Sequence, residues 1–391
     1  MQRIYWNIVA IFCFLFILTF EFDYSVFPNI FQWINPFFEV LVSVFGSYLF
    51  GLEEGFVTEI SSDSIGLYIH VFNVLLFSVS IVLFNELFNK DKEVNLRPYL
   101  LQMLTYYLSL QLLIYGFDKV FKAQFFLPEP NTLFTPIKDI SKDLLYWSTI
   151  GVSRSYSLFL GMAELLAAVF LLFRKTRILG IIMGLGIMLN VVAVNFSFDI
   201  SVKVYGLFLL LCFVILLSPY FTFLHQVFVK KIPAFFPRER ELFFTDNLKL
   251  KRGIKLVVIV LFLTEGLFPF IATNNFNDDS IPRPKFHGAY EIMNPESEIE
   301  NLFIHRKGYL IFKNKKDVFQ DFQLEIESAT DQFLVFDYAN KTHSTLNYEE
   351  VNNQLVFISG EINGKEISYE LQEIDCAKSV LLQPSFHWTT Q

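Results

Sequence analysis

The sequence predicts an all-α polytopic membrane bundle of about seven transmembrane helices, followed by a C-terminal antiparallel β domain, a sandwich or small barrel. Three observations lead there. Of 391 residues, 53% are hydrophobic and only 18% charged, which is too apolar for a soluble chain of this length and arrives in runs long enough to cross a bilayer. Basic clusters recur at every second connection between those runs, as the positive-inside rule requires. From about Asn274 the pattern changes to short stretches of alternating apolar and polar residues, the period of a half-buried strand.

The same counts exclude several functions. The formal charge is -8 and no basic patch interleaved with aromatics occurs, so no nucleic-acid partner is expected. Cys13, Cys212 and Cys376 are widely spaced and no CxxC exists, which excludes a thioredoxin-like dithiol site. No phosphate loop, dinucleotide fingerprint or Ser-His-Asp pattern is visible. His287, His305, His343 and His387 lack ligand spacing, so no metal site is expected.

The first span is IYWNIVAIFCFLFILTF, read as a retained signal anchor because no small-x-small cleavage site follows. Residues 21–63 then hold Glu21, Asp23, Glu39, Glu53, Glu54, Glu59 and Asp63 without a Lys or Arg. Within them, residues 27–50 are aromatic and proline-punctuated, which suits an interfacial or re-entrant segment better than a full span. The second span covers Ser64–Leu87 and ends at a loop with Lys90, Lys92 and Arg97. The third covers Pro98–Phe117, with proline suited to the first turn. A polar connection follows, with LPEPNTLFTP and an interfacial helix around Ile140–Trp147.

The fourth span is Ser155–Phe173, closed by the basic turn of Arg174, Lys175 and Arg177. The fifth is Ile178–Phe196, whose Gly180 and Gly184 have the spacing that permits close helix approach. The sixth is Val204–Leu224. A basic loop with Lys230, Lys231, Arg238, Arg240, Lys249, Lys251 and Arg252 leads to the seventh, Ile254–Ala272. Seven spans with the N-terminus in the cytoplasm leave the C-terminal domain outside. The divisions are 1–97 for the N-terminal helices, 98–224 for a central core, 225–273 for the basic loop and last span, and 274–391 for the β domain. In that domain KEISYELQEI alternates, and Asn363-Gly364 marks a two-residue hairpin turn.

Few polar residues interrupt the spans, and each needs a reason. Glu164 lies nine residues from either end of its span, roughly 13 Å deep. A charge there costs about 2.5–3.5 kcal/mol on insertion scales, so it must face the bundle or a wet cavity, and it is the candidate catalytic residue. Asn190, Asn195, His70 and Glu265 fall in the same outer half of their spans, and Lys119, Asp199 and Lys203 sit at or near the outer boundary. Together they predict an outward-opening polar cavity that binds a substrate among the third to sixth spans. Taken singly, Lys119 and Lys203 also suit snorkelling to the headgroups, and His70 suits a helix–helix hydrogen bond.

Three stretches carry a family resemblance: YGFDKVFKAQF at 115–125, GMAELLAAVFLLFRKTRILG at 161–180, and NVVAVNFSFDISVKVYG at 190–206. They resemble the DoxX-like family of bacterial integral membrane proteins, in its long subgroup. By matching position the subgroup's polar residues fall on Lys119, Gln124, Glu164, Arg174, Asn195, Asp199 and Lys203. One departure is Ser201, where the subgroup carries proline. The resemblance implies a four-helix core at 98–224, a bacterial inner (cytoplasmic) membrane location and a small or amphipathic ligand. A quinone is a candidate cofactor, as for relatives associated with thiosulfate and quinone oxidoreduction. Membrane lipids and a partner protein subunit are the implied partners. Two alternatives stay open. One is a non-enzymatic anchor that presents the β domain to a partner. The other is a transporter or a carboxylase-like membrane enzyme, the latter sharing only the layout of a bundle joined to a β domain.

Overall fold

The structure, a computed structural model, describes residues 1–391 except 54, 89–93, 238–241, 243–246, 295, 353 and 384–391. Glu54, Lys90, Lys92, Arg238, Arg240, His387 and Gln391 therefore lie outside the described residues. Eleven α-helices precede eight strands among those described. They are α1 (Gln2–Thr19), α2 (Phe31–Tyr48), α3 (Ile65–Phe88), α4 (Arg97–Val120), α5 (Pro130–Leu133), α6 (Lys142–Gly151), α7 (Arg154–Leu172), α8 (Arg177–Ser197), α9 (Lys203–Leu217), α10 (Phe221–Leu224) and α11 (Leu248–Thr273). Among the described residues seven helical segments are long and apolar enough to span a bilayer, namely α1, α3, α4, α7, α8, α9 with its continuation through α10 to Val229, and α11. The protein is a multi-pass membrane protein.

The second helix, α2, is not among the seven. It is one uninterrupted helix of 18 residues that contains Pro36, and its Gln, Asn, Glu and Pro make it more polar than the spans. Proline at that position forfeits one backbone hydrogen bond to the preceding turn. The helix packs on α1 and α3.

Residues 1–124 and 155–277 form one compact unit. Its hub is α4, which buries 61% of its apolar window, more than any other span, and meets α1, α9 and α11. Glycines set the closest approaches. A Cβ on Gly161 of α7 would lie 2.7 Å from the Gly116 carbonyl oxygen of α4. In α8, a Cβ on Gly180 would meet the Leu171 nitrogen of α7 at 2.6 Å, and one on Gly184 would meet the Phe213 ring of α9 at 2.2 Å. The glycine spacing thus serves two different neighbours, whereas Gly186 faces open space. Aromatic rings close the remaining gaps, with Phe16 4.2 Å from Phe208 and Phe20 4.3 Å from Tyr205 between α1 and α9.

The second unit joins residues 278–391 with residues 125–154. The latter were expected to belong to the central core, and the boundary at 274 moves to 278. The strands β1 (Gly288–Ile292), β2 (Ile299–His305), β3 (Tyr309–Asn314), β4 (Phe319–Glu327), β5 (Gln332–Asp337), β6 (Thr342–Asn352), β7 (Leu355–Ile362) and β8 (Lys365–Ile374) form a closed antiparallel barrel. Each pairs with the next, and β1 pairs with β8. Alternate residues point inward and fill it with Leu302, Leu310, Phe322, Phe333, Leu346, Ile358 and Leu371, among others. A smaller apolar cluster on the outer wall, Ala289, Phe303 and Ile311, is covered by Phe134 from the 125–154 segment. That cover explains why the segment groups with the barrel. A helix is present where one was expected near 140–147, namely α6.

The β7–β8 hairpin turns at Asn363 (φ 52°) and Gly364 (φ 79°), as the sequence predicts. Gly364→Val should destabilise the barrel by about 1–2 kcal/mol, because a left-handed φ forces a Cβ against the following carbonyl. Replacing the neighbouring Lys365 by Ala should be near neutral. Calorimetry of the detergent-solubilised chain measures both, and equal effects would contradict the turn assignment.

Candidate polar sites of the bundle and the barrel unit

Lys119 and Glu164 meet where α4 and α7 cross. The lysine Nζ donates to Glu164 Oε2 at 2.9 Å, and the two side chains are 8% and 6% exposed. Lys119 lies three residues after Gly116, and Glu164 three after Gly161. The two helices run antiparallel, with Ser157 opposite Lys119 and Ser109 opposite Ala168, so the residues stand on either side of the glycine contact and the lysine side chain reaches back along α4 to the carboxylate. Lys119 Nζ also approaches the Tyr115 carbonyl at 3.4 Å, and Ser157 Oγ donates to the Lys119 carbonyl at 2.8 Å. A buried, paired carboxylate of this kind can exchange a proton with its lysine or with a bound polar group. Asp118 stands next to Lys119 in the chain and is half-buried.

The other expected residues are distributed over separate contacts. Lys203 pairs with Asp199 at 2.8 Å and lies 3.5 Å from Asp63. Asp63 also accepts the backbone N–H groups of Lys203 and Val204 at 2.9 and 3.0 Å, so it caps the first turn of α9. Sequence reasoning missed this role. Asp63 precedes Ser64, whose hydroxyl accepts from Leu67 N and caps α3, and nothing local points to α9. Asn195 is buried and donates to the Val202 carbonyl at 3.3 Å, bracing the turn between α8 and α9. Asn190, expected beside Glu164, is exposed on the outside of α8. It lies five residues before Asn195, which turns it well away from that buried face.

His70 and Glu265 have local partners. His70 is fully buried, and its Nε2 lies 2.7 Å from Thr19 Oγ1 of α1. The Glu265 carboxylate accepts three consecutive backbone N–H groups, those of Ser25, Val26 (2.9 Å) and Phe27 (2.7 Å). It pins the segment after α1 onto α11. Gln124 hydrogen-bonds through its backbone to the Asp118 carbonyl at 3.1 Å, and Arg174 is exposed. The structure thus brings Glu164 together with Lys119, and groups Asp199 with Lys203. It does not gather His70, Asn190 or Glu265 around them.

The barrel unit holds a charged cluster that sequence reasoning missed. Glu129, at the start of α5, accepts from Arg306 Nε, from Arg306 N at 3.3 Å and from His287 Nε2 at 3.0 Å. Arg306 continues to Asp278 at 2.7 Å, and Arg283 reaches the same carboxylate at 3.0 Å. The guanidinium of Arg306 also lies 4.2 Å over the Phe126 ring. His305 stands 3.7 Å from Glu129, and burial pushes its imidazole below its ordinary value. Glu129 sits between two prolines in a stretch with no periodicity, and its partner is 177 residues away. No local signal could have found the pair.

Burial alone raises the Glu129 carboxyl. Hydrogen bonds from His287 and Arg306, with the Arg306 charge, outweigh that and bring it down from 4.5 to about 2. The folded state therefore favours the carboxylate more than the unfolded chain does. This contribution is complete above about pH 4.5 and disappears as pH falls through about 2. The barrel's stability should drop across that window, by on the order of 3 kcal/mol. Glu129→Gln should flatten the profile and lower stability at neutral pH. Unfolding in detergent at a series of pH values checks this, and parallel profiles for the two proteins would refute it.

No family profile matches the chain, and no solved structure does. A curated protein of Bacillus subtilis (strain 168), described as uncharacterized protein YwoB, is 34% identical over 111 residues, which span 28% of this chain and 70% of that protein. At that identity and coverage, the chain belongs to the same family as YwoB.

Proposed function

We propose that the bundle handles a small amphipathic molecule, with a quinone as the leading ligand class, at the Lys119–Glu164 pair, in the manner of the DoxX-like proteins that its central stretch resembles. The buried ion pair carries this reading. Two charges held away from water are costly to desolvate, and apolar residues of similar volume often do the structural work as well or better. An ionisable pair inside a membrane bundle therefore points to a job that needs ionisation. Glu164 exchanges the proton, and Lys119 holds a ligand oxygen. In a redox-associated subunit, electrons come from a partner protein.

A second reading rests on a different observation. The barrel unit is assembled from two distant parts of the chain, with the 125–154 segment plated onto its outer wall. That construction suits a non-enzymatic assembly subunit that presents the barrel to a partner.

We infer a bacterial inner-membrane location with the N-terminus in the cytoplasm and the barrel outside. Arg174, Lys175, Lys230 and Lys231 supply the positive charge on the cytoplasmic side. Four spans, α7, α8, α9 and α11, separate the 125–154 segment from the barrel. An even number returns the chain to the same face, as their shared unit requires. A tag after Gln391 should be cut by protease added outside the inner membrane, and a tag at Lys231 should be protected. Equal protection of both would overturn the sidedness and imply that α2 also crosses.

Glu164→Gln should insert and fold near normally but lose the co-purifying quinone or other ligand, as read by mass spectrometry of organic extracts. Glu164→Leu, which removes the lysine's buried carboxylate, should destabilise the bundle by about 3–5 kcal/mol. Full ligand retention in the Gln variant would leave the pair as a packing contact only.

A further inference from the structure

We propose that the opposite end of the bundle holds a binding site for a phosphate-bearing anion. A cavity of about 720 Å³ opens there between the first turns of α4 and α8 and the end of α9. That volume lies within the range of ligand sites. Its described lining includes Arg97, Arg177, Gln102, Thr105 and Ser218, and no Asp or Glu. Among the described residues the wall carries two guanidinium groups and no carboxylate, a positive potential that the low-dielectric surroundings focus inward.

The arginines are fixed in place. Arg97 lies 4.4 Å over the Trp6 ring and donates to Ser218 Oγ at 3.4 Å. Its Nε is buried and has no hydrogen-bond partner, which is a costly state for a charged donor. A bound oxygen would satisfy it. Arg177 is 7% exposed and is held by its Nε donating to the Leu171 carbonyl at 3.1 Å.

Two long helices also begin at this cavity. The 24-residue α4 starts at Arg97, whose N–H donates to Asn95 Oδ1 at 3.1 Å, and the 21-residue α8 starts at Arg177, where the N-cap side chain makes no capping bond. Their remaining first-turn N–H groups and positive dipole ends add to the arginine charges. Paired arginine forks and helix N-termini offer more donors than one carboxylate can accept, whereas a phosphate accepts several at once. The cavity sits at the end where the basic residues Arg174, Lys175, Lys230 and Lys231 gather, the level of lipid headgroups. Leu101 and Leu216 add apolar wall for the rest of an amphipathic ligand. Arg97 and Lys119 lie at the two ends of α4, roughly 33 Å apart, so this site stands or falls independently of the Lys119–Glu164 reading.

The test uses the full chain. Delipidated protein is reconstituted into bilayers of phosphatidylcholine alone or doped with phosphatidylglycerol, and lipid retention is read by native mass spectrometry. Inorganic phosphate is titrated separately against thermal unfolding in detergent. The wild type should retain phosphatidylglycerol over phosphatidylcholine, and Arg97→Gln should weaken retention at least about tenfold. Lys175→Gln, which removes an exposed charge at the same end, should change nothing. Arg97→Lys keeps the charge without the fork and should fall between, which serves the comparison if the Gln variant fails to fold. Protection by inorganic phosphate, with no lipid retained, would assign the site to a soluble phosphate compound. A wild type that neither retains the anionic lipid nor responds to phosphate would overturn the proposal, as would equal retention in wild type and both Arg97 variants.

Discussion

The backbone contact between α4 and α7 at Gly116 and Gly161 is the constraint on which the bundle's polar interior depends. Helices in lipid gain nothing from burying apolar surface against each other, so their association rests on close packing and polar contacts. Two glycines facing each other let the backbones of these antiparallel helices approach closely enough for the Lys119 side chain, reaching back along α4, to meet Glu164 on α7. A larger side chain at either glycine would separate the helices and leave a charge on each without its partner. The glycines and the ion pair are therefore one feature, in which packing supplies the geometry and charge supplies the chemistry.

The other deep charges follow the same logic with different partners. Glu265 is neutralised by three backbone N–H groups and Asp63 by the first turn of α9. Asp63 adds Lys203 at 3.5 Å, and in both cases oriented amides stabilise the carboxylate well. Both acids join segments far apart in sequence, and both hold loops where the chain leaves a helix. In the barrel unit, Glu129 and Arg306 do the same between a connecting segment and a strand end. Carboxylates in this protein act largely as fasteners for irregular backbone, and Glu164 differs in facing a lysine inside the bundle.

Much of the architecture was legible because its signals are long and periodic. Seven apolar runs, a change to period two after Asn274 and the Asn363-Gly364 turn each rest on a local rule, and each element is present. The depth of Glu164 was legible from its place in an apolar run, and Lys119 was among the expected partners. Depth along a helix says nothing about direction around it, however. Asn190 and Glu265 share a level with Glu164 and face elsewhere. The barrel's closure and the docking of residues 125–154 were not legible, since both depend on pairings across long stretches of chain. Polar residues such as Glu129 and Asp63 looked like ordinary loop residues because their partners lie more than a hundred positions away.

The barrel closes through the pairing of β1 with β8, and that arrangement governs how this protein is made. The last strand ends at Ile374, so the sheet has two open edges until β8 has been synthesised. Residues 125–154 emerge much earlier and must wait for Arg306 and the outer wall of the barrel before their own polar and apolar groups are covered. Contacts of such high sequence separation form slowly, because loop closure precedes any gain. During that interval the unpaired edges are exposed to aggregation. Truncation anywhere within β8 would leave that state permanent, whereas once β8 is in place the barrel offers no strand edge for another chain to join.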